Sequence, residues 1–356
     1  MKPKIVFASL AAAVAFASFA SAQTRDAHPT FTVGSATASR GQTATGVIAV
    51  PAGSDAALNI AVAVVHGARP GPVLALVAGS HGTEYTSIIG LERLIGLVDP
   101  AQVSGTVIIV PLVNVPSFER VVPHLNPVDG KNMNRFYPGK ADGTQTERAS
   151  LLITRQVIEP ADHVIDFHGG DLDESLRPYS YWTRSGNEKQ DALSRGMVLA
   201  FGLDHIIISA DRPKDPAASR YLENTATTRG KPSLTVEAGH AGTVETDDVM
   251  VLVNGSLSVM RHLKMLPGTV TPVQNPVWFD AVPSVTSDVS GIFYPLVRRG
   301  AFVTKGMKIG YVTDYIGKTI FEARAPADGV VLFIRAIPSS VKGDTLASVG
   351  TVAKTP

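Results

Sequence analysis

The 356-residue chain is 44% hydrophobic and 18% charged, with a formal net charge of +1, the balance of a globular protein with room for one large domain and a smaller one. Its charges form no basic block, so nothing points to a nucleic-acid partner. Cysteine is absent, which rules out disulfides and thiolate ligands and leaves His, Asp and Glu as the side chains able to hold a metal.

Lys2 and Lys4 precede an apolar run from Ile5 to about Phe19, and Ala20, Ser21 and Ala22 supply a small-x-small cleavage site before Gln23. This is the grammar of a secretory signal over residues 1–22. The run is shorter than the ~20 residues that a spanning helix needs. The expectation is an exported protein, periplasmic or secreted, with no membrane span in the mature form. Cleavage would remove two lysines and take the formal charge from +1 to −1.

Residues 23 to about 54 alternate and are rich in Thr, Ser and Gly, as edge strands and turns are. From Leu58 to Leu266 short apolar runs alternate with helical periods. "NIAVAVVHG" and "PVLALVAG" read as strands. "EYTSIIGLERLIGLVD" reads as a helix with Ile88, Leu91, Ile95 and Val98 on one face. "GTVIIVPLVN" is a strand, "ERASLLITRQVIEP" a helix, "HVIDFHGG" a strand, "NEKQDALSRGMVLAFG" a helix and "PSLTVEAG" a strand. Such alternation predicts an α/β domain over residues 23–268, a mixed sheet flanked by helices, with functional residues at the carboxyl ends of strands.

After Met265–Gly268 the helical period stops, and residues 269–356 read as a small all-β domain. "KGMKIGYV" from Lys305 and "KGDTLASV" from Lys342 repeat a turn-plus-strand unit, with "APADGVV" between them. The segment resembles the biotinyl and lipoyl hairpin sandwich, a barrel-sandwich type. Lys318 lies in "IGKTI", which lacks the flanks of a prosthetic lysine, and reads as an ordinary exposed lysine.

Chemistry gathers at the strand ends. "AGSHGTEYTS" puts His81 and Glu84 straight after the run Val73–Val77, and "HVIDFHGGD" puts His168 after Val164, Ile165 and Phe167. Two histidines and one carboxylate around one zinc ion leave a fourth position for water, the composition of catalytic rather than structural sites. Taken singly, an HxxE or a histidine after a strand is a common loop feature. The joint placement, with Gly79, Gly82, Gly169 and Gly170 alongside, carries the signal. "DGKNMNRFYPG" brings Asn134 and Arg135 together, a pair suited to a substrate carboxylate. "TVEAGH" puts Glu237 past an apolar strand, where a carboxylate beside a metal site can move protons. Asp166 precedes His168 on the same strand face and can orient it. His240 could approach the site from its position three residues past Glu237. Tyr179 and Tyr181 could line the pocket or simply pack. His66, His205 and His262 read as satisfied core or surface residues.

These four motifs, in this order and followed by a β domain, resemble the succinylglutamate desuccinylase and aspartoacylase family, a branch of the zinc carboxypeptidase superfamily. The resemblance spans about Leu58 to Val349. It implies a zinc-carboxypeptidase-like fold, one zinc ion on His81, Glu84 and His168, carboxylate binding by Asn134 and Arg135, and Glu237 as general base and acid. The implied reaction is hydrolysis of the amide bond of a small N-acyl amino acid or related carboxylated substrate. Two alternatives use the same residues: a periplasmic zinc carboxypeptidase acting on peptides, and a non-catalytic periplasmic binding protein. The sequence departs from the family pattern where members place another arginine a few residues before the Asp-Gly of the substrate loop. Here Arg120 lies farther upstream and His124 stands nearer that slot.

Overall fold

The computed structural model describes residues 28–210 and 212–354. The expected signal segment lies outside them. β1 (Thr30–Val33) and β2 (Ala36–Ser39) form a small antiparallel hairpin ahead of the main chain path. Then follow β3 (Gln42–Val50), β4 (Leu58–His66), β5 (Arg69–Ala78), α1 (Tyr85–Leu97), β6 (Ser104–Val110), α2 (Val115–Arg120), α3 (Gln145–Ile153), β7 (His163–His168), β8 (Glu174–Thr183), α4 (Glu188–Phe201), β9 (His205–Ser209), α5 (Leu222–Thr227), β10 (Ser233–His240) and α6 (Thr246–His262). Past α6 the described residues hold only strands: β11 (Val277–Ala281), β12 (Ser284–Thr286), β13 (Gly291–Pro295), β14 (Phe302–Val303), β15 (Lys308–Thr313), β16 (Thr319–Arg324), β17 (Gly329–Arg335), β18 (Ser339–Ser340) and β19 (Thr345–Val352).

The large sheet runs in the order β14-β17-β19-β11-β9-β8-β10-β7-β5-β6-β4-β3, with β12 added on β19. Its centre, β10-β7-β5-β6, is parallel, while β8 runs antiparallel beside β10. This is the mixed α/β architecture expected from the alternating elements. Because successive side chains on a strand point to opposite faces, each central strand feeds two cores. On β5, Leu74, Leu76 and Ala78 pack under α1, α4 and α6, whereas Ala75 and Val77 pack toward α3, α5 and the β1–β2 hairpin. On β10, Leu234, Val236 and Ala238 join the first core, which turns Thr235 and Glu237 to the opposite face.

Some readings shift. The buried face of α1 is Ile88, Leu91 and Leu94, with Val98 just past its end, and Ile95 is only half-buried. A 3.6-residue period lets either neighbour occupy that position, and contact with α6 selects Leu94. The C-terminal strands are also not confined to a separate sandwich. β11 pairs with β9, and β17 pairs with β8, so both belong to the large sheet. Lys318 is exposed in the β15–β16 turn, as expected.

Candidate active site

His81 leaves the carboxyl end of β5 through a tight turn. A Cβ on Gly82 would lie 2.4 Å from the backbone nitrogen of Phe118, so only glycine lets this turn press against the start of α2. Gly82 N donates to Ser117 Oγ at 2.9 Å, fixing the contact. Glu84 is the N-cap residue of α1, yet its side chain makes no cap bond. It turns instead to the site, with Oε1 2.6 Å from His81 Nδ1 and Oε2 3.0 Å from His168 Nδ1. Gly169 N donates to the same Oε2 at 3.1 Å. A Cβ on Gly169 would fall 2.0 Å from Ala238 O, so the close packing of β7's exit against β10 also requires glycine. One candidate ligand atom from each of His81, Glu84 and His168 lies within 4.8 Å of the others, and all three residues are buried.

The outer nitrogens explain the orientation. His81 Nε2 is 3.0 Å from Asn132 Oδ1, an acceptor only, so Nε2 carries a proton and Nδ1 is the nitrogen that would present a lone pair to a cation shared with Glu84. His168 Nε2 lies 3.0 Å from Asn134 Nδ2 and 3.3 Å from Asp166 Oδ1. That Asp166 oxygen is buried and makes no hydrogen bond. Asn134 Nδ2, a donor, faces Nε2, so Nδ1 carries the proton toward Glu84 Oε2; with a cation on Nδ1 the proton would move to Nε2, where Asp166 Oδ1 is the nearby acceptor. The donor set, its Nδ1, carboxylate and Nδ1 convergence, and this orphaned oxygen all fit a divalent cation such as zinc. Burial raises the pKa of Glu84, but the imidazoles of His168 and His81 outweigh it and hold the carboxyl well below its ordinary value. Burial lowers that of His168, yet Glu84 and Asp166 drive it well above normal.

Glu237 stands beside His168 in the parallel β10–β7 register and opposite Tyr179 on β8. Burial pushes its pKa well up; His168 opposes this, while Glu84, Glu174 and Asp166 add to it. Asn134 and Arg135 come from the loop between α2 and α3. Asn134 Oδ1 accepts from Leu222 N at 2.9 Å, which aims Nδ2 at His168. The Arg135 guanidinium lies 4.7 Å over the Tyr221 ring and donates to Asn134 O at 2.7 Å. Together with Tyr179 and Tyr181, these groups line one cavity of about 560 Å³.

The structure thus brings together His81, Glu84, His168, Asn134, Arg135, Glu237 and Asp166. His240 does not line the cavity, and its Nδ1 is buried without a partner. His66 is a satisfied core residue, bonded to Thr106 Oγ1 and His28 O. Sequence reasoning missed Tyr221 and Glu174, and named His124 only as the residue nearest the arginine slot. Tyr221 underlies Arg135. Glu174 lines the cavity with a pKa pushed to about 7 by burial and by Glu84, against the pull of His124. His124 lies edge-on to His81, ring centroids 5.6 Å apart, and its two nitrogens lie 3.2 Å from Asp171 Oδ2 and 3.1 Å from Asp173 Oδ1. Burial lowers its pKa, but the bond to Asp173 and the charges of Asp171 and Glu174 carry it up to about 9. His124 thus lies beside the candidate site with both ring nitrogens paired to carboxylates. The acidic run "DLDE" directly after His168 and its two glycines was the available signal.

Residues 70–263 match the sequence model of the succinylglutamate desuccinylase/aspartoacylase catalytic domain. An N-alpha-acetyl-L-2,4-diaminobutyric acid deacetylase of Halomonas elongata is 30% identical over 291 residues, covering 80% of this chain and 83% of the relative. Among solved structures, a succinylglutamate desuccinylase from Silicibacter superposes with a TM-score of 0.78 at 24% identity, covering 87% of this chain and 95% of its own. The product-bound ectoine utilization protein EutE (DoeB) from Ruegeria pomeroyi superposes with a TM-score of 0.77 at 26% identity, over 87% and 95%. The fold, a large mixed sheet with extra C-terminal strands, is that of desuccinylase and aspartoacylase structures. The chain belongs to the succinylglutamate desuccinylase/aspartoacylase family.

Proposed function

We propose that this chain is a zinc-dependent amidohydrolase with a zinc-carboxypeptidase-like catalytic layout, which cleaves a small N-acyl amino acid into a carboxylate and an amine. The observation that carries the reading is the meeting of His81, Glu84 and His168 in one cavity with Glu237 and the Asn134–Arg135 pair. The similarity to the Halomonas deacetylase and to the product-bound ectoine utilization protein supports the substrate class. One divalent cation held by His81 Nδ1, Glu84 and His168 Nδ1 would acidify water and polarise the scissile carbonyl.

The remaining steps fall to the protein's own groups. Asn132 and Asp166 fix the two imidazoles by accepting their outer protons. The Arg135 fork, held flat by Tyr221, binds the substrate carboxylate, and Asn134 adds an amide donor. The Glu237 carboxylate takes a proton from the attacking water and returns it to the leaving nitrogen as the C–N bond breaks. Water adds across the amide, so no further reactant is needed.

Export through the 1–22 segment to the periplasm, and division of the mature chain at residue 268, belong to the same proposal and rest on the sequence pattern. The test is metal analysis of the purified protein, followed by a panel of N-acyl amino acids and peptides with product identification. Chelation should abolish turnover, and Glu237→Gln should retain zinc while losing about 10²-fold or more of kcat. A Glu237→Gln protein with full turnover would refute the role, and release of terminal amino acids from peptides in preference to acyl amino acids would favour a carboxypeptidase.

A further inference from the structure

The large sheet closes on itself. β8 pairs with β9, β9 with β11, β11 with β19, β19 with β17, and β17 returns to β8 through Phe333 opposite Leu176. The result is a ring of five strands built from both the α/β portion and the C-terminal strands. The alternation that turns Glu237 away from the helical core also turns Tyr179, Tyr181 and Thr183 of β8 to the cavity face, while Trp182 packs in that core. The cavity therefore continues from the candidate metal ligands across β10 to the mouth of the ring, whose interior is filled by Tyr179, Ile207, Phe279, Val330 and Leu332. There it meets Tyr179, Tyr181, Val282, Leu332, Phe333 and Ser348.

The two halves differ in charge. Around the candidate metal centre the lining includes His81, Glu84, His124, Arg135, His168 and Glu237. Beyond Glu174, the first residue of β8, every cavity-lining residue contributed by the ring is uncharged: aromatic, aliphatic or hydroxyl-bearing, and the carboxylate that meets it there, Glu223 of α5, is taken up by Thr183, Thr227 and Ser233 hydroxyls. Neighbouring strands lie about 4.8 Å apart, so the floor from β10 to β9 adds roughly 10 Å beyond Glu237. An acetyl methyl reaches only about 1.5 Å past the carbonyl carbon.

Resting on the amidohydrolase reading and on Arg135 as the carboxylate anchor, we propose that the mouth of the ring is an acyl subsite for a neutral acyl group longer than acetyl. Asn134 bonds to the start of α5, and α5 packs over β7 and β10. With the amine's carboxylate held on that side, the acyl chain leaves the scissile carbonyl toward β8 and β9. A chain of five or six carbons buries its methylenes against Tyr179, Leu332 and Val282. A succinyl group would place its terminal carboxylate at the same uncharged mouth, where desolvation without a counter-ion disfavours it. Part of that wall, Val282, Leu332, Phe333 and Ser348, lies outside residues 70–263 that match the family's catalytic domain.

The experiment compares N-acetyl, N-succinyl, N-pentanoyl and N-hexanoyl derivatives of the one L-amino acid that the zinc-loaded enzyme accepts best. A buried methylene is worth about fourfold, so kcat/KM for N-pentanoyl should exceed that for N-acetyl by at least about tenfold, and that for N-succinyl by more. Val282→Trp and Ser348→Leu, made separately because either could misfold, should lower the pentanoyl-to-acetyl ratio by about tenfold. Both positions line the ring away from the candidate metal ligands. Faster turnover of N-acetyl or N-succinyl than of N-pentanoyl overturns the acyl subsite while leaving the amidohydrolase reading intact. An unchanged ratio in the folded variants does the same. If no N-acyl amino acid is hydrolysed, both readings fall.

Discussion

Asp129 offers a test of how the substrate-binding loop is held, at a distance from the reacting atoms. Its Oδ1 accepts from Lys131 N at 3.2 Å and Thr146 Oγ1 at 2.9 Å, and its Oδ2 accepts from Thr146 N at 2.9 Å. Thr146 is the second residue of α3, so this carboxylate ties the loop carrying Asn132, Asn134 and Arg135 to a first-turn N–H of the helix, beside the Thr144–Glu147 capping box and the Gln145 N–H held by Asp55. Asp129→Ala removes three bonds to an ionised group, each worth about 1.5–3 kcal/mol when buried. Asp129 is half-buried, and water can replace part of what is lost, so a total of about 2–4 kcal/mol is expected, in line with loss of a strong helix cap plus one loop bond. At roughly 2 °C per kcal/mol for a domain of this size, the melting temperature should fall by about 4–8 °C. A loosened Arg135 should raise KM about tenfold or more, because displacements near 1 Å cost up to about 10²-fold. Differential scanning fluorimetry and steady-state kinetics at fixed zinc would read both, with metal content measured to separate any loss of Asn132's hold on His81. Asp129→Asn, which keeps one acceptor, should fall between. A variant that melts within about 1 °C of the parent with unchanged KM would refute the proposed tie.

Three further outcomes follow from the same geometry. Tyr221→Leu removes the ring under Arg135, a contact worth about 0.5–2 kcal/mol, and should raise KM about 2- to 30-fold with little change in kcat; equal KM values in the Leu and Phe variants would remove the stacking role. Asp166→Ala should weaken zinc binding by about 10–100-fold in a chelator competition, and unchanged affinity would mean that Asp166 does not orient His168. Acid stability depends on Asp55 and Glu147. Burial acts to raise both, but the Gln145 N–H and Arg148 hold Asp55 below its ordinary value, and Lys131 with Thr144 does the same for Glu147. Folded pKa values below the unfolded ones mean stability that is complete above about pH 5 and lost as pH falls through the carboxylate range. The stability gap between parent and Asp55→Asn should therefore shrink from pH 6 to pH 3 in urea titrations, and a gap that widens on acidification would contradict the assignment.

What the sequence revealed follows from where each signal resides. His168 ends β7, His81 follows β5 by three residues and Glu237 lies within β10 three residues before its end, each where an apolar run gives way to glycine and a functional side chain within a few residues. Local pattern suffices for such sites. β8 was not legible: in "ESLRPYSYWT" the cavity face carries Tyr179, Tyr181 and Thr183, and the strand includes Arg177 and Pro178, so neither an apolar run nor clean alternation survives. β9, "HIIIS", is apolar but short enough to read equally as part of a helix. Tyr221 could not be paired with Arg135 from sequence, because a stacking contact across 86 positions leaves no periodic trace.

The ring carries this argument furthest. Its closing contact joins Leu176 to Phe333, and closure depends on the antiparallel return of β17 rather than on any property of either segment alone. Period-two patterning marks which side of a strand is buried but not which strand lies next to it. A reading by motif therefore assigns the C-terminal strands to a separate sandwich, whereas their pairing with β8 and β9 makes them a wall of the catalytic cavity. His81, Glu84, His168 and Glu237 belong to the local part of the code, and the outer wall of the cavity to the part set by long-range pairing. Chains with the same four motifs can thus share one reaction while β17, β19 and the β11–β12 turn set the acyl group, and exchanging those strands between relatives should move acyl preference without moving the metal site.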